Sequence, residues 1–137
     1  MKKILIIGGN SSIGLSIIKK FVDKGDYVIT TYNDKANRKN LLEENIQSIH
    51  LDLENEKSID KFTKQLYKIT NKIDSAIFLS SILPGKKFTQ YEDNDIDKVM
   101  AINFTGQVKL LHRLIKIFKK NSSLLMFSSI SAEKGSY

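Results

Sequence analysis

The run Gly8-Gly9-Asn10-Ser11-Ser12-Ile13-Gly14 follows four aliphatic residues, Ile4 to Ile7, and leads into Ile13, Ile17, Ile18, Phe21 and Val22 at helical spacing. A strand that turns through glycines into a helix is the layout of a dinucleotide-binding βαβ unit, and its chemistry is recognition of a diphosphate. Glycine at position 8 permits a sharp turn and close approach of the backbone to a pyrophosphate. Glycine at position 14 predicts tight packing of the helix on the sheet. The first N–H groups of that helix and its positive dipole end would face the phosphates, with Asn10, Ser11, Ser12 and Ile13 beside them. No Asp or Glu lies between residues 8 and 22, so no local charge opposes the anion.

Other residue types narrow the chemistry further. The chain has no cysteine, which excludes disulfides, thiolate metal sites and cysteine nucleophiles. Neither His50, which alternates with apolar neighbours, nor His112, in an amphipathic segment, has a partner at metal-ligand spacing, so both read as structural. No metal site is expected. Asn103 falls within an apolar helical stripe, a costly place for an amide unless it is hydrogen-bonded.

These residues need a scaffold, and 137 residues suffice for one domain with a core. Apolar residues at 41% and charged residues at 27% describe an ordinary globular composition. The start, Met1-Lys2-Lys3 and four aliphatics, ends at Gly8, far short of a secretory core. No stretch approaches the ~18 apolar residues of a membrane span. The expectation is a cytoplasmic protein without a membrane partner. The net charge of +7 raises nucleic acid as a partner, but the lysines are scattered in pairs at element ends, where cations suit the helix dipole. No nucleic-acid groove is expected.

Gly25 reads as a helix C-terminal cap and Tyr27 to Tyr32 as strand two. A polar stretch from Asn33 to Asn40 leads into a short helix ending near Glu44. Strand three is Gln47 to Leu51, closing at Asp52. Asn55 caps a helix with an apolar face of Ile59, Phe62, Leu66 and Ile69. Strand four is Ser75 to Leu79, and a loop with Pro84 and Gly85 follows. Two helical stripes, one with Ile96, Val99 and Met100 and one running from Leu110 to Phe118, meet around Asn103. Ser123 to Ser128 is strand five. Five strands alternating with helices predict one α/β domain over residues 1–137. It is an open, doubly wound parallel (Rossmann) sheet of order 3-2-1-4-5.

With these landmarks in order, the sequence resembles the short-chain dehydrogenase/reductase family along its whole length, over roughly the first half of a family member. The family's Thr-Gly-x-x-x-Gly-x-Gly falls on Ile7-Gly8 through Gly14, with Ile7 for the threonine and Ser12 for the middle glycine. Ser12 is expected to be tolerated as a good helix cap whose hydroxyl can reach a phosphate. Leu51-Asp52-Leu53 resembles the site whose carboxylate meets the adenine amino group; the alternative is a turn aspartate capping its own backbone. Asn103, in Ala101-Ile102-Asn103-Phe104-Thr105-Gly106, matches the asparagine that kinks the family's long helix and holds a water of the proton relay. Leu79-Ser80-Ser81 stands where the family shows Asn-Ala-Gly, and Ser80 keeps the room for backbone to approach the cofactor. Ser129 matches the serine that polarises the substrate carbonyl; the alternative is a plain strand-terminating serine.

The resemblance implies hydride transfer between a nicotinamide dinucleotide and a small carbonyl or alcohol, with Asn103 and Ser129 on the catalytic side. It also calls for a tyrosine with a lysine four residues later, on one helix face. Four residues after Tyr27, Tyr32, Tyr67 and Tyr91 come Thr31, Ala36, Asn71 and Asp95, and Tyr137 is the last residue. The expectation is a C-terminally truncated, cofactor-binding half that is inactive alone. Its strand-five edge would be exposed and would promote self-association. At the end of strand two, Tyr32 and Asn33 are the candidate ribose-side contacts. No acid stands at Tyr32, and Lys35, Arg38 and Lys39 follow, which leans towards NADP over NAD; Asp34 reads as turn chemistry. The competing reading is a non-catalytic nucleotide-binding or protein-interaction module.

Overall fold

A computed structural model of the chain describes residues 1–34 and 44–134. The expected short helix before Glu44, the cations Lys35, Arg38 and Lys39, and Tyr137 lie outside the described residues. Strand β1 (Lys3–Ile7) leads into α1 (Ser12–Val22), β2 (Tyr27–Tyr32) and β3 (Ile46–His50). Then come α2 (Glu56–Ile69), β4 (Ile73–Phe78), α3 (Asp93–Met100), a π-helical turn (Ala101–Thr105) and α4 (Gly106–Leu114). A 3-10 turn (Ile115–Ile117), β5 (Phe118–Met126) and α5 (Ser131–Lys134) complete the order. The five strands form one parallel sheet in the order β3-β2-β1-β4-β5. This is the Rossmann-type arrangement expected from the sequence.

Alternation along β1 divides the core in two. Ile4 and Ile6 face one side with Ile18, Val28 and Ile77, under α1. Leu5 and Ile7 face the other with Ile29, Phe62, Leu66, Phe78, Leu110 and Leu114, under α2 and α4. A central parallel strand must be apolar on both faces, which is why β1 is an unbroken aliphatic run. Each fully buried side chain of this kind contributes about 1.5–3 kcal/mol.

Local signals set the helix ends. Asn55 Oδ1 accepts from the N–H groups of Lys57 and Ser58 at 3.0 and 3.3 Å, starting α2. Gly25, at φ +78°, ends α1 in a Schellman arrangement: Asp26 N–H donates to Phe21 O at 3.0 Å and Gly25 N–H to Val22 O at 2.8 Å. On the outer surface, Arg113 joins α4 to α2 through Asp60 at 2.8 Å and Glu56 at 3.1 Å. These carboxylates, Asp60 first, hold its guanidinium pKa above the ordinary value. At the strands' N-terminal ends, Asp74 accepts from Lys119 Nζ at 2.5 Å and from Lys3 N–H at 2.8 Å, tying β5, β4 and β1 together. The Lys119 bond, then that of Lys3, holds its carboxyl below the usual carboxylate range.

Several boundaries differ from expectation. β3 and β4 each begin and end slightly earlier than their apolar runs indicate. The helical stripe expected to reach Phe118 stops at Leu114, and Phe118 instead opens β5, paired with Ile73. β5 therefore starts five residues before Ser123 and ends at Met126, before Ser128. Its first half, Lys119-Lys120-Asn121-Ser122-Ser123, carries no strand signal because an edge strand tolerates polar side chains. The expected exposure of the β5 edge is seen, while β4 beside it stays covered. Leu124, Leu125 and Met126 are 43%, 51% and 44% exposed, whereas Ala76, Ile77 and Phe78 of β4 are buried. Phe104 and Val108, on the outer side of the kinked helix, are exposed as well.

Candidate functional site

Two glycines shape the turn after β1. Gly8 has φ +86°, and a Cβ there would lie 2.7 Å from Ser80 Oγ and 2.9 Å from Ser80 N. Its own N–H donates to Thr31 Oγ1 at 2.9 Å, so this amide is used within the fold. A Cβ on Gly14 would meet Gly9 O at 2.6 Å and Gly9 Cα at 2.7 Å. Gly14 thus makes room for the doubled-back turn, whereas packing of helix on sheet was expected. The helix cap also differs from expectation: it is Ser11 and not Ser12. Ser11 Oγ accepts from Gly14 N–H at 3.0 Å and donates to Gly8 O at 3.2 Å. Ser12 is the first residue of α1, so its N–H and that of Ile13 have no intrahelical acceptor.

A cleft runs over the C-terminal ends of the strands, where open α/β sheets bind ligands. Its outer lobe, about 250 Å³, is lined by Gly8, Asn10 and Ser11 of the turn, by Asn33 after β2, and by Asp52 and Leu53 after β3. The inner lobe, about 460 Å³, takes in Ile13, Asn103, Gln107, Ser128 and Ser129. Ser11, Leu79, Ser80 and Ser81 line both, making the cleft continuous. Together the lobes fall in the range of ligand sites, roughly 300–1,000 Å³. Asp52 is the only charged side chain among the described residues lining them. An anion held here would rely on amides and hydroxyls.

Tyr32 stands apart from the other predicted contacts. Its ring lies edge-on against His50, with centroids 5.7 Å apart, and it is 8% exposed. It borders a separate hollow of about 680 Å³ beside β3 and α2 that includes none of the glycine turn. That hollow is larger than either lobe alone, but no residue of the glycine turn or of the loop after β4 lines it. Asn33 is the residue after β2 that lines the cleft. Ser12 and Gly14 shape the turn without lining either lobe.

Asp52 caps its own turn and also borders the cleft. Its Oδ1 accepts from Glu54 N–H at 3.0 Å, a turn bond, while the residue borders the outer lobe. Asn103 sits in the π-helical turn and grips residue 82 twice: Oδ1 accepts from Ile82 N–H at 2.7 Å, and Nδ2 donates to Ile82 O at 2.8 Å. Its amide is thus engaged in holding the loop after β4. Among the described residues, no group of three or more His, Asp or Glu is placed to hold a metal ion. No helix among them is long and apolar enough to cross a membrane.

Sequence reasoning missed Thr31, Ser81 and Gln107. Thr31 follows Thr30 in β2 and carried no signal of its own. Gln107 did carry one: it is a buried amide in an apolar helical stripe, one turn after Asn103, and the argument applied to Asn103 extends to it.

Residues 7–137 match the family model described as enoyl-(acyl carrier protein) reductase. The chain belongs to the short-chain dehydrogenase/reductase family of oxidoreductases. It is 30% identical over 135 residues to the 3-oxoacyl-[acyl-carrier-protein] reductase FabG of Buchnera aphidicola subsp. Acyrthosiphon pisum, covering 95% of this chain and 55% of that protein. It is 27% identical over 109 residues to the FabG of Aquifex aeolicus, covering 74% and 44%. The chain therefore spans about half the length of these curated relatives. Among solved structures, a short-chain dehydrogenase/reductase from Brucella melitensis, described as glucose/ribitol dehydrogenase, superposes with TM-score 0.88 at 23% identity. That match covers 99% of this chain and 60% of the other. A short-chain dehydrogenase family protein from Francisella tularensis superposes with TM-score 0.85 at 20% identity, covering 96% and 52%. Both likenesses concern the fold.

Proposed function

We propose that this chain is the cofactor-binding half of an NAD(P)-dependent oxidoreductase that interconverts a carbonyl and an alcohol. The observation that carries this reading is the continuous cleft, with the open end of α1 at its middle, Asp52 at one end and Ser129 at the other. The amides of Ser12 and Ile13, at the open end of α1, would hold the diphosphate. Asn33 would bond the adenosine ribose, and Asp52, with the carboxylate oxygen left over from its turn bond, would accept from the adenine amino group. Leu53 would pack beside the base and Ser80 beneath the nicotinamide ribose.

When bound, the nicotinamide supplies or accepts the hydride. Ser129 Oγ would donate to the substrate oxygen, favouring charge that grows there during reduction. Asn103 would keep the inner lobe in shape through Ile82. No tyrosine among the 137 residues has a lysine four positions later, so we expect the chain by itself to bind cofactor without turning over substrate. The names of the curated relatives support a 3-oxoacyl thioester as the substrate class. NADP(H) is preferred over NAD(H), because the cleft-lining residue after β2 is Asn33 and not a carboxylate.

Calorimetric titration with NADPH and NADH tests this. Binding of both, with NADPH tighter, is expected. Tighter NADH would reverse the cofactor preference, and steady reduction of a 3-oxoacyl thioester by the purified chain would refute its inactivity alone.

A further inference from the structure

We propose that Gln107 is a positioning residue that fixes the loop after β4 at the depth a dinucleotide needs in the inner lobe; this rests on the cofactor reading above. Gln107 is only 6% exposed. Its Nε2 reaches Ser80 O at 2.6 Å, Ile102 O at 3.1 Å and Asn103 O at 3.3 Å. Three carbonyl oxygens around one end of the amide fix its orientation, since only the NH2 group can donate to them. Two of these carbonyls belong to the π-helical turn, whose wider winding admits a side chain against the backbone. The third belongs to the loop lining both lobes.

The amide therefore ties the kinked helix to the floor of the cleft. On the other side that floor has no slack, because Ser80 N lies 2.9 Å from where a Gly8 Cβ would be. Asn103 holds the loop two residues further on, at Ile82. Among the described residues, Gln107 is the side chain that hydrogen-bonds the Ser80 backbone. Without it the loop would be free to move into the inner lobe, narrowing the space for the nicotinamide half of the ligand. The adenosine half, near Asn33 and Asp52, would be unaffected.

Two variants separate this role from bulk stability. Gln107→Met keeps size and loses the donor. Gln107→Glu loses it only while ionised; burial favours the neutral carboxyl, whose O–H can donate to Ser80 O, and none of the described residues lining the inner lobe is charged. Affinities for NADPH and for ADP are measured at pH 8.5 and pH 6, together with hydrogen exchange of residues 79–83 in the free protein. Gln107→Met is expected to bind NADPH at least tenfold more weakly at both pH values, with ADP affinity within twofold of wild type and faster exchange confined to the loop. Gln107→Glu is expected to match Gln107→Met at pH 8.5 and to recover most of the loss at pH 6. Equal losses for NADPH and ADP, or wild-type NADPH affinity in both variants, would overturn the proposal. If the wild type binds neither nicotinamide dinucleotide, the cofactor reading fails, and unchanged loop exchange in Gln107→Met overturns the positioning role separately.

Discussion

Replacing Gly8 by alanine tests the geometry of the turn. At φ +86° a residue with a Cβ is strained by roughly 1–2 kcal/mol. The added methyl would also lie 2.9 Å from Ser80 N and 3.1 Å from Ser80 Cα, so backbone and not a flexible tip must yield. That backbone is held by Gln107 at 2.6 Å, and overpacking of this kind costs about 1–3 kcal/mol. The expected loss is about 2–5 kcal/mol, a large part of the roughly 5–15 kcal/mol that stabilises a typical domain. Urea denaturation of Gly8→Ala, with Gly85→Ala as control, measures it. A Cβ on Gly85 meets nothing within 4 Å, so that variant should stay within about 0.5 kcal/mol of wild type. If Gly8→Ala were also within about 1 kcal/mol, the close approach of Gly8 to Ser80 would be wrong.

Further outcomes follow from single contacts. Ser11→Ala should lose about 1 kcal/mol in denaturant melts through the missing cap, while Ser12→Ala stays near wild type. Asp74 has its carboxyl pKa lowered in the folded chain, so its contribution is present above the ordinary unfolded value of about 3.9 and is lost as pH falls through the folded one. Acid melts of Asp74→Asn should accordingly show a shallower fall in stability below about pH 4; an unchanged slope would remove this role. Self-association through β5 should appear as a molar mass that rises with concentration in light scattering, and Leu125→Lys should suppress it.

Much of the fold was legible where one signal acts alone. The aliphatic run of β1, Asn55 before α2 and Gly25 after α1 each mark their element directly, and alternating strands and helices set the sheet order. Reading failed where tertiary context decides. The polar opening of β5 is a strand only because β4 lies beside it. Adjacent serines left the cap one residue out, since either hydroxyl suits the position and the turn's path chooses Ser11. At the site, the cleft gathers Gly8, Asn10, Ser11, Ile13, Asn33, Asp52, Leu53, Ser80, Asn103 and Ser129 from segments far apart in sequence. It omits Tyr32, because an aromatic ring at that strand end packs more favourably on His50 than in a cleft.

The central claim is that the start of α1 receives a dinucleotide's diphosphate. Amide chemical shifts of the folded, isotope-labelled chain, followed during titration with NADP, test this at the atoms concerned. Saturable shifts at Ser12, Ile13 and the Ser80–Ile82 loop are predicted, with the amides of β5's polar first half unmoved. A well-dispersed spectrum that stays unchanged to millimolar NADP and NAD would contradict the account.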